Sequence, residues 1–511
     1  MTDRPNILVI TSDQQRGDCF GFEGRRIKTP HLDEMARQGT RFGCCITPNN
    51  VCQPSRASML TGLLPNTHGV HDNGIDLLPE IAETGFAAQL GKSGYRTGYI
   101  GKAHFATSHT FASTGTPECR HSTHMYDEDW NGPYMGFEHL ELMVEGHNHW
   151  LPMKPPAGQH YERWYYADGR GDERNALYQK ALPPETGADQ TWHSALPPAW
   201  HNSTWIGDRT VQYLNDHKDG DEPFCCWASF PDPHHPFDAP DPWSRMHDPA
   251  DVDLPPHREI DLDRRPWWHR ASLEGLPDIQ ADLRKIREEY SRIPAQSDDQ
   301  LRQIIANYYG MISLIDHSVG RILMALDDLG LSENTLVIYT TDHGDWLGDH
   351  GLILKGPINY DGLMRVGFIV KGPGVPTNKV VDDPISTIDM KATIEDYAGV
   401  APAREDHSTS LRGLIEGNGE TRDFAFNEWD INASRCGVAL RLQCVRTKTH
   451  KLTLELESGA GELYDMVNDP HEMNNVFDDP GHAAVRRELE AMAATRPDDA
   501  MSPRLTPVGM A

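Results

Sequence analysis

Apolar residues run without interruption at two places far apart in the chain, "NILVIT" (6–11) and "TLVIYT" (335–340). Short β-branched runs of this kind suit strands buried on both faces of a mostly parallel sheet. "FCCWASF" (224–230) and "GFIV" (367–370) predict two further strands. Between them, apolar residues recur every three or four positions in "PHLDEMARQG", "IAETGFAAQLGKSG", "TWIGDRTVQYLNDH" and "QLRQIIANYYGMISLIDHSVGRILMALDDLG". That spacing predicts helices, and Gly closes several of them, as helix C-termini favour. The alternation predicts an α/β fold with a large mixed, mostly parallel sheet flanked by helices.

Two stretches lack this periodicity. Residues 105–200 and about 240–300 are rich in Pro, Trp, His and charged residues. They predict long loops decorating a sheet edge, of the kind that carries substrate contacts. From about residue 416 the pattern changes again. "GVALRLQCVRTKTHKLTLELESGAGELYDM" reads as short alternating strands and "HAAVRRELEAMAA" as a final amphipathic helix. A catalytic domain over 1–415 and a small α+β domain over 416–511, an antiparallel sheet plus helix, are therefore expected.

Composition narrows the partners. The 511 residues give room for one large domain and a smaller one, and the formal charge is −29. A field of that sign repels nucleic acid and acidic membrane, and leaves a small anion held by a local positive cluster. No apolar stretch is long enough to cross a bilayer, and "MTDRPNILVIT" lacks the basic start and long apolar core of a signal peptide. Nine cysteines, with Cys44-Cys45 and Cys225-Cys226 adjacent, look like a reduced cytoplasmic inventory. No CxxC pair points to structural zinc.

The two continuous strands end in chemistry. One leads to Asp13 and Gln14, the other to Asp342 and His343. Open α/β sheets bind ligands outside the carboxyl ends of their strands, so these ends can meet in one crevice. Three oxygen-bearing side chains and one imidazole suit calcium or manganese better than zinc. Either aspartate alone reads equally as a turn or capping residue. "NNVCQPSRASMLTG" adds Cys52 just before Pro54, with Gly62 closing the segment. This predicts a helix with Cys52 at its N-terminus, where the dipole and free N–H groups favour an anion. A thiolate nucleophile also suits the position, and a buried small hydrophobe is the commonest fate of a free cysteine.

"CQPSR" resembles the C-x-P-S-R signature of type I sulfatases, members of the alkaline-phosphatase superfamily. Other blocks resemble the family in order: "NILVITSDQ", "GYIGKAHF" with Lys102 and His104, "PDPHHPF" with His234, "TTDHGDWLGDHGLILKG" with Lys355, and "GELYDMVNDPHEMNN". The resemblance implies hydrolysis of a small anionic sulfate ester, aryl or alkyl. Cys52 would be oxidised to formylglycine by a formylglycine-generating enzyme, and its aldehyde hydrate would be the nucleophile. One divalent cation, Ca2+ or Mn2+, would be held by Asp13, Gln14, Asp342, His343 and residue 52. Arg56 would support the nucleophile, and Lys102 and Lys355 would meet the sulfate oxygens. His234 or Lys355 would protonate the leaving alcohol, and His104 would take the proton that expels sulfate. Asn73, in "VHDNG", is a substrate-side residue or an ordinary turn residue. Gln14 and His343 depart from many sulfatases and resemble phosphonate monoester and phosphodiester hydrolases of the same superfamily. They point to manganese and to a phosphonate or diester alternative, whereas Lys102 and His104 stay on the sulfatase side. The extended decorations are compatible with a homo-oligomer.

Overall fold

The computed structural model describes residues 4–110, 112–144, 151–420 and 422–509. Nine strands form the large sheet: β1 (Asn6–Ser12), β2 (Thr40–Ile46), β3 (Arg96–Gly101), β4 (His139–Leu142), β5 (Phe224–Ser229), β6 (Thr335–Thr341), β7 (Arg365–Lys371), β8 (Lys379–Val381) and β9 (Ile385–Ser386). Their order is β4-β3-β5-β1-β6-β7-β2-β8, with β9 also on β2. Strands β4, β3, β5, β1 and β6 are mutually parallel, and β7 runs against both β6 and β2. The sheet is thus mixed and mostly parallel.

The unbroken apolar runs are explained by burial on both sides. Ile7, Val9, Leu336 and Ile338 face one layer, packed against Ala57, Phe86 and Ile394. Leu8, Ile10, Val337 and Tyr339 face the other, against Leu32, Trp205 and Ile322. Helices Cys52–Thr61, Phe86–Lys92 and Asp389–Ala398 cover the first face. Helices Pro30–Arg37, Asn202–His217 and Asp298–Asp328 cover the second.

Several elements differ from the sequence expectation. The segment read as one helix from Ile81 is two, Pro79–Ala82 and Phe86–Lys92. The break falls at Gly85, where a Cβ would come within 2.8 Å of the Leu60 carbonyl oxygen. Strands β2 and β3 gave no clear apolar run. In β3 the cause is two glycines, one of which, Gly101, has φ 108° and lies where a Cβ would strike the Ser229 carbonyl. Residues 105–200 hold more regular structure than loops: edge strand β4 and helices His160–Tyr166 and Gly171–Tyr178. Positions 111 and 145–150 of that stretch lie outside the described residues. The 240–300 stretch likewise contains helices Trp267–Glu274 and Ala281–Tyr290.

A second, antiparallel sheet follows: β10 (Phe424–Ile431), β11 (Leu440–Thr447), β12 (His450–Glu455) and β13 (Gly461–Asp465). Helix Ala483–Ala493 packs Leu489 against Leu452 and Leu463. This sheet reaches the loop ahead of Cys52. Asn427 donates to Thr47 O and to Asn50 Oδ1, both at 2.9 Å, and Glu428 N–H to Pro48 O at 2.9 Å. Among the described residues, no helix is long and apolar enough to cross a membrane.

Candidate active site

Parallel register brings four strand ends to one level. Thr11 lies beside Ser229 and Thr340, and Gly101 beside Ser229. The residues just beyond are Asp13 and Gln14 after β1, Lys102 and His104 after β3, His234 after β5, and Asp342 and His343 after β6. Gln14 (φ 66°) and His104 (φ 56°) hold left-handed backbone conformations. Such conformations cost on the order of 1–3 kcal/mol in a non-glycine residue and cluster at functional sites.

Helix Cys52–Thr61 delivers the fifth component and is buried along its whole length. Gly62 ends it with φ 70°. Its first-turn donors are largely taken: Gln53 N–H goes to Asn73 Oδ1 at 3.1 Å, Pro54 has no N–H, and Ser55 N–H reaches Val51 O at 3.3 Å. Free amides therefore contribute less to an anion here than the sequence suggested, and cationic side chains contribute more. Asn73 sits beneath the helix start as its cap, with its oxygen on backbone. Gln53 ties the same loop down through Ile75 O at 2.7 Å and Gly74 N–H at 2.8 Å.

Cys52 Sγ lies 3.0 Å from Lys355 Nζ, 3.1 Å from His343 Nε2 and 3.6 Å from Asp13 Oδ1. Burial and Asp13 oppose ionisation, but Lys355, Lys102 and His343 bring the thiol down to about 5. Cys45 and Cys226, in contrast, are pushed well up by burial. Of these three cysteines, Cys52 is the one whose surroundings favour the thiolate.

Arg56 clamps the two carboxylates. Its Nε donates to Asp342 Oδ2 at 2.9 Å, its Nη2 to Asp13 Oδ2 at 3.1 Å, and its Nη1 to Ser229 Oγ at 2.7 Å and Lys102 O at 2.9 Å. Lys102 Nζ adds 2.6 Å to Asp13 Oδ2. Burial disfavours charge on Asp13, but the cationic Lys102, Arg56 and Lys355 outweigh it and hold the carboxyl well below its usual range. Burial and then Asp13 raise Asp342. Burial also works against the Lys102 ammonium, which Asp13 and Cys52 more than offset, so its pKa is raised.

The donor set fits a divalent cation. Ligand atoms of Asp13, Cys52, Asp342 and His343 all lie within 4.8 Å of one another, fully buried. His343 Nδ1 pairs with Gly344 O at 2.8 Å, which assigns the proton to Nδ1 and leaves the Nε2 lone pair for a ligand. Gln14 donates its amide to Asp345 Oδ2 at 2.5 Å, while its Oε1 is buried without a hydrogen-bond partner among the described residues. A buried amide oxygen of this kind, on a residue whose backbone N–H meets Asp342 Oδ1 at 3.0 Å, suits a cation ligand.

Two histidines border the cluster. His104 is buried, and neither ring nitrogen has a partner among the described residues. Burial, then Lys102 and Arg56, push its pKa well down, so it is neutral and able to accept a proton. His234 is also held neutral, by burial first and then Lys355 and His235. Its Nδ1 pairs with His235 O at 2.7 Å.

Three supporting residues escaped the sequence reading. Asp345 fixes Gln14 while accepting Leu347 N–H at 2.7 Å and Leu354 N–H at 2.9 Å. It stood inside the quoted "TTDHGDW" block, three residues past Asp342, so position alone could have flagged it. Ser229 carries Arg56 and Lys102. Glu118 Oε1 accepts Phe105 N–H at 3.1 Å, Ala106 N–H at 3.0 Å and the Tyr134 hydroxyl at 2.9 Å, fixing the turn that presents His104. Burial raises Glu118 to about 7.

The family model described as Sulfatase matches residues 5–400. The chain belongs to the sulfatase family. A second model, N-sulphoglucosamine sulphohydrolase, C-terminal, matches residues 348–497. An uncharacterized sulfatase, YidJ, of Escherichia coli (strain K12) is 28% identical, covering 95% of this chain and 86% of that protein. An arylsulfatase of Clostridium perfringens is also 28% identical, covering 93% and 90%. The phosphonate monoester hydrolase structure from Agrobacterium radiobacter is 26% identical with a TM-score of 0.76, covering 98% of this chain and 97% of that one. Family membership thus places a hydrolase fold under the cluster, with sulfatases and phosphonate monoester hydrolases both among its neighbours.

Proposed function

We propose that this sulfatase-family protein hydrolyses sulfate monoesters, of arylsulfatase type, with Cys52 matured to formylglycine and one divalent cation, Ca2+ or Mn2+, as cofactors. The observation that carries the reading is the setting of residue 52. It sits at a buried helix start, within 3.0 Å of Lys355 Nζ and 3.1 Å of His343 Nε2, facing Asp13 and Asp342. Asp13, Gln14, Asp342 and His343 would hold the cation, which with the aldehyde hydrate supplies an activated hydroxyl nucleophile and charge neutralisation at sulfate oxygens.

The protein's own groups divide the remaining work. Lys102 and Lys355 place positive charge beside residue 52, where a sulfate monoanion would sit. Arg56 positions both carboxylates rather than meeting the substrate. His234 is held neutral with its Nδ1 on a backbone carbonyl, so Lys355 is the better donor of a proton to the leaving oxygen. His104 is neutral, buried and without a hydrogen-bond partner among the described residues, the state required of a base that takes the proton accompanying sulfate release.

Phosphonate monoester hydrolysis on the same site is the second reading, supported by Gln14, His343 and the Agrobacterium radiobacter likeness. The test compares kcat/KM for an aryl sulfate and a phosphonate monoester with the same leaving group. Lys102, Lys355 and His104 lead to a higher value for the sulfate. A clear reversal transfers the assignment to phosphonates.

A further inference from the structure

Residues 501–509, beyond helix Ala483–Ala493, cross the molecule to the loops around the active site. The segment forms no helix or strand, and within it only Ser502 and Gly509 are buried. Its contacts fall largely on backbone. Met501 N–H donates to Thr67 O at 2.8 Å, and Val508 N–H to Gly74 O at 2.6 Å. Gly509 forms an antiparallel bridge with Thr110. Midway, His71 Nε2 lies 3.2 Å from Leu505 O, and His71 Nδ1 lies 2.8 Å from Asp430 O. His71 is 3% exposed, so it pins the segment to β10 from within. The seat is tight: a Cβ on Gly74 would come 2.6 Å from Gly509 O, and one on Gly509 2.7 Å from Thr107 Cγ2.

The two loops it crosses carry the groups assigned to the reaction. Loop 71–76 supports the start of helix Cys52–Thr61. Gln53 N–H donates to Asn73 Oδ1 at 3.1 Å, and Gly74 N–H donates to Gln53 Oε1 at 2.8 Å. Gly74 thus has its N–H on the neighbour of Cys52 and its carbonyl on Val508. The second loop, 105–110, follows His104. Leu77 N–H donates to Phe105 O at 2.9 Å and Thr107 N–H to Asp76 Oδ1 at 2.8 Å, which joins this loop to the first. The Thr110–Gly509 bridge closes its far end. His104 holds φ 56°, and a strained backbone of this kind persists only where its surroundings over-determine it.

We propose that residues 501–509 are a positioning strap for the reaction: by holding Gly74 and Thr110 together, they keep the Cys52 helix start and the His104 turn in one fixed relation. This rests on the reading of residue 52 as the nucleophile and His104 as the base. Met501 and Leu505 pack on the core only in part and Val508 is 40% exposed, so loss of the strap removes little apolar burial. What it fixes is geometry, and misplacing reacting groups by about 1 Å costs about 10^2-fold in rate. The contacts fall on loop backbone rather than on Lys102 or Lys355, so the strap controls kcat more than KM.

The experiment removes the strap by ending the chain after Ala500, and disturbs it singly in two ways. Val508→Pro deletes the N–H donated to Gly74, and Gly509→Val drives the segment off Thr107. Turnover is read on whichever of an aryl sulfate and a phosphonate monoester the wild type hydrolyses. The truncation is expected to lower kcat about 10^2-fold and each single variant about tenfold, with KM within about twofold and the melting temperature within about 3 °C. Hydrogen exchange reads the placement apart from the reaction. The Gly74 and Thr107 amides are expected to exchange about tenfold faster or more in each variant, while those of β1 and β6 keep wild-type protection. If the truncated chain does not fold, the two single variants carry the same comparison. If neither ester is turned over, the functional reading fails and exchange alone decides the strap. Unchanged kcat in the folded variants, a fall in kcat/KM carried by KM alone, or wild-type exchange at Gly74 and Thr107 overturns the proposal.

Discussion

Around Cys52, charged side chains hang from sheet strand ends or a helix start and the acidic and imidazole groups are buried; Asp13, Asp342 and His343 are at most 1% exposed. Across Lys355, the 260–295 stretch is built of short helices and turns, with Ile260 and Leu276 left 47% and 57% exposed. The first region is fixed by the large sheet and by ion pairs such as Arg56 with Asp342, 286 positions apart. The second rests on local turns. Chemistry that needs a nucleophile placed to a fraction of an ångström belongs on the sheet, and surface contacts belong on elements that change without disturbing it.

The largest expected effect tests whether residue 52 is the centre of the first region. Cys52→Ala should lower turnover of an aryl sulfate by about 10^4-fold or more, as loss of a nucleophile does, while thermal unfolding stays near wild type. An active Cys52→Ala protein would break the contrast at its origin. Next comes the carboxylate clamp. Asp342→Ala leaves Arg56 with one buried partner fewer, a loss of about 3–5 kcal/mol for a broken buried pair. It should abolish divalent metal content and turnover together. Asp342→Asn should keep more of the fold and still lose the metal, which elemental analysis of the purified protein reads.

His104→Ala should slow turnover by about 10^2–10^4-fold, the usual contribution of a positioned base. A covalent sulfated adduct at residue 52 should then accumulate, visible by mass spectrometry after a quench. Equal slowing of both steps would remove His104 from sulfate release. The smallest effect sharpens the comparison by asking how far the anchoring extends. Glu118 is raised to about 7 in the fold against an ordinary carboxyl near 4.5. Between those values the folded state binds more protons than the unfolded one, so the Glu118 contribution to stability falls as pH rises from about 4.5 to 7 and is level above. The melting temperature of wild type relative to Glu118→Gln should follow that course, and a difference independent of pH would contradict it.

What the sequence disclosed follows the same division. The buried strands β1 and β6 announced themselves by unbroken apolar runs, and their ends carried Asp13, Gln14, Asp342 and His343. "CQPSR" marked the helix start through Pro54 and Gly62. Strand β3 stayed hidden because Gly98 and Gly101 replace the branched residues that signal a strand. Ser229 and Glu118 carry no local signal, since each acts on backbone or side chains that only the folded sheet brings near. Gln14 and Asp345 are 331 positions apart, and nothing local to either announces that they meet. The helices at 160–178 and 267–290 give no helical signal in the sequence because their apolar faces are short and interrupted.

The nucleophile itself offers the most direct test. Peptide mass spectrometry of an active preparation should find the peptide containing residue 52 with its thiol replaced by an aldehyde, in a fraction that tracks specific activity across preparations. Full activity in a preparation whose residue 52 is entirely unmodified cysteine would contradict the central claim and leave the low-pKa thiolate beside Lys355 as the reacting group.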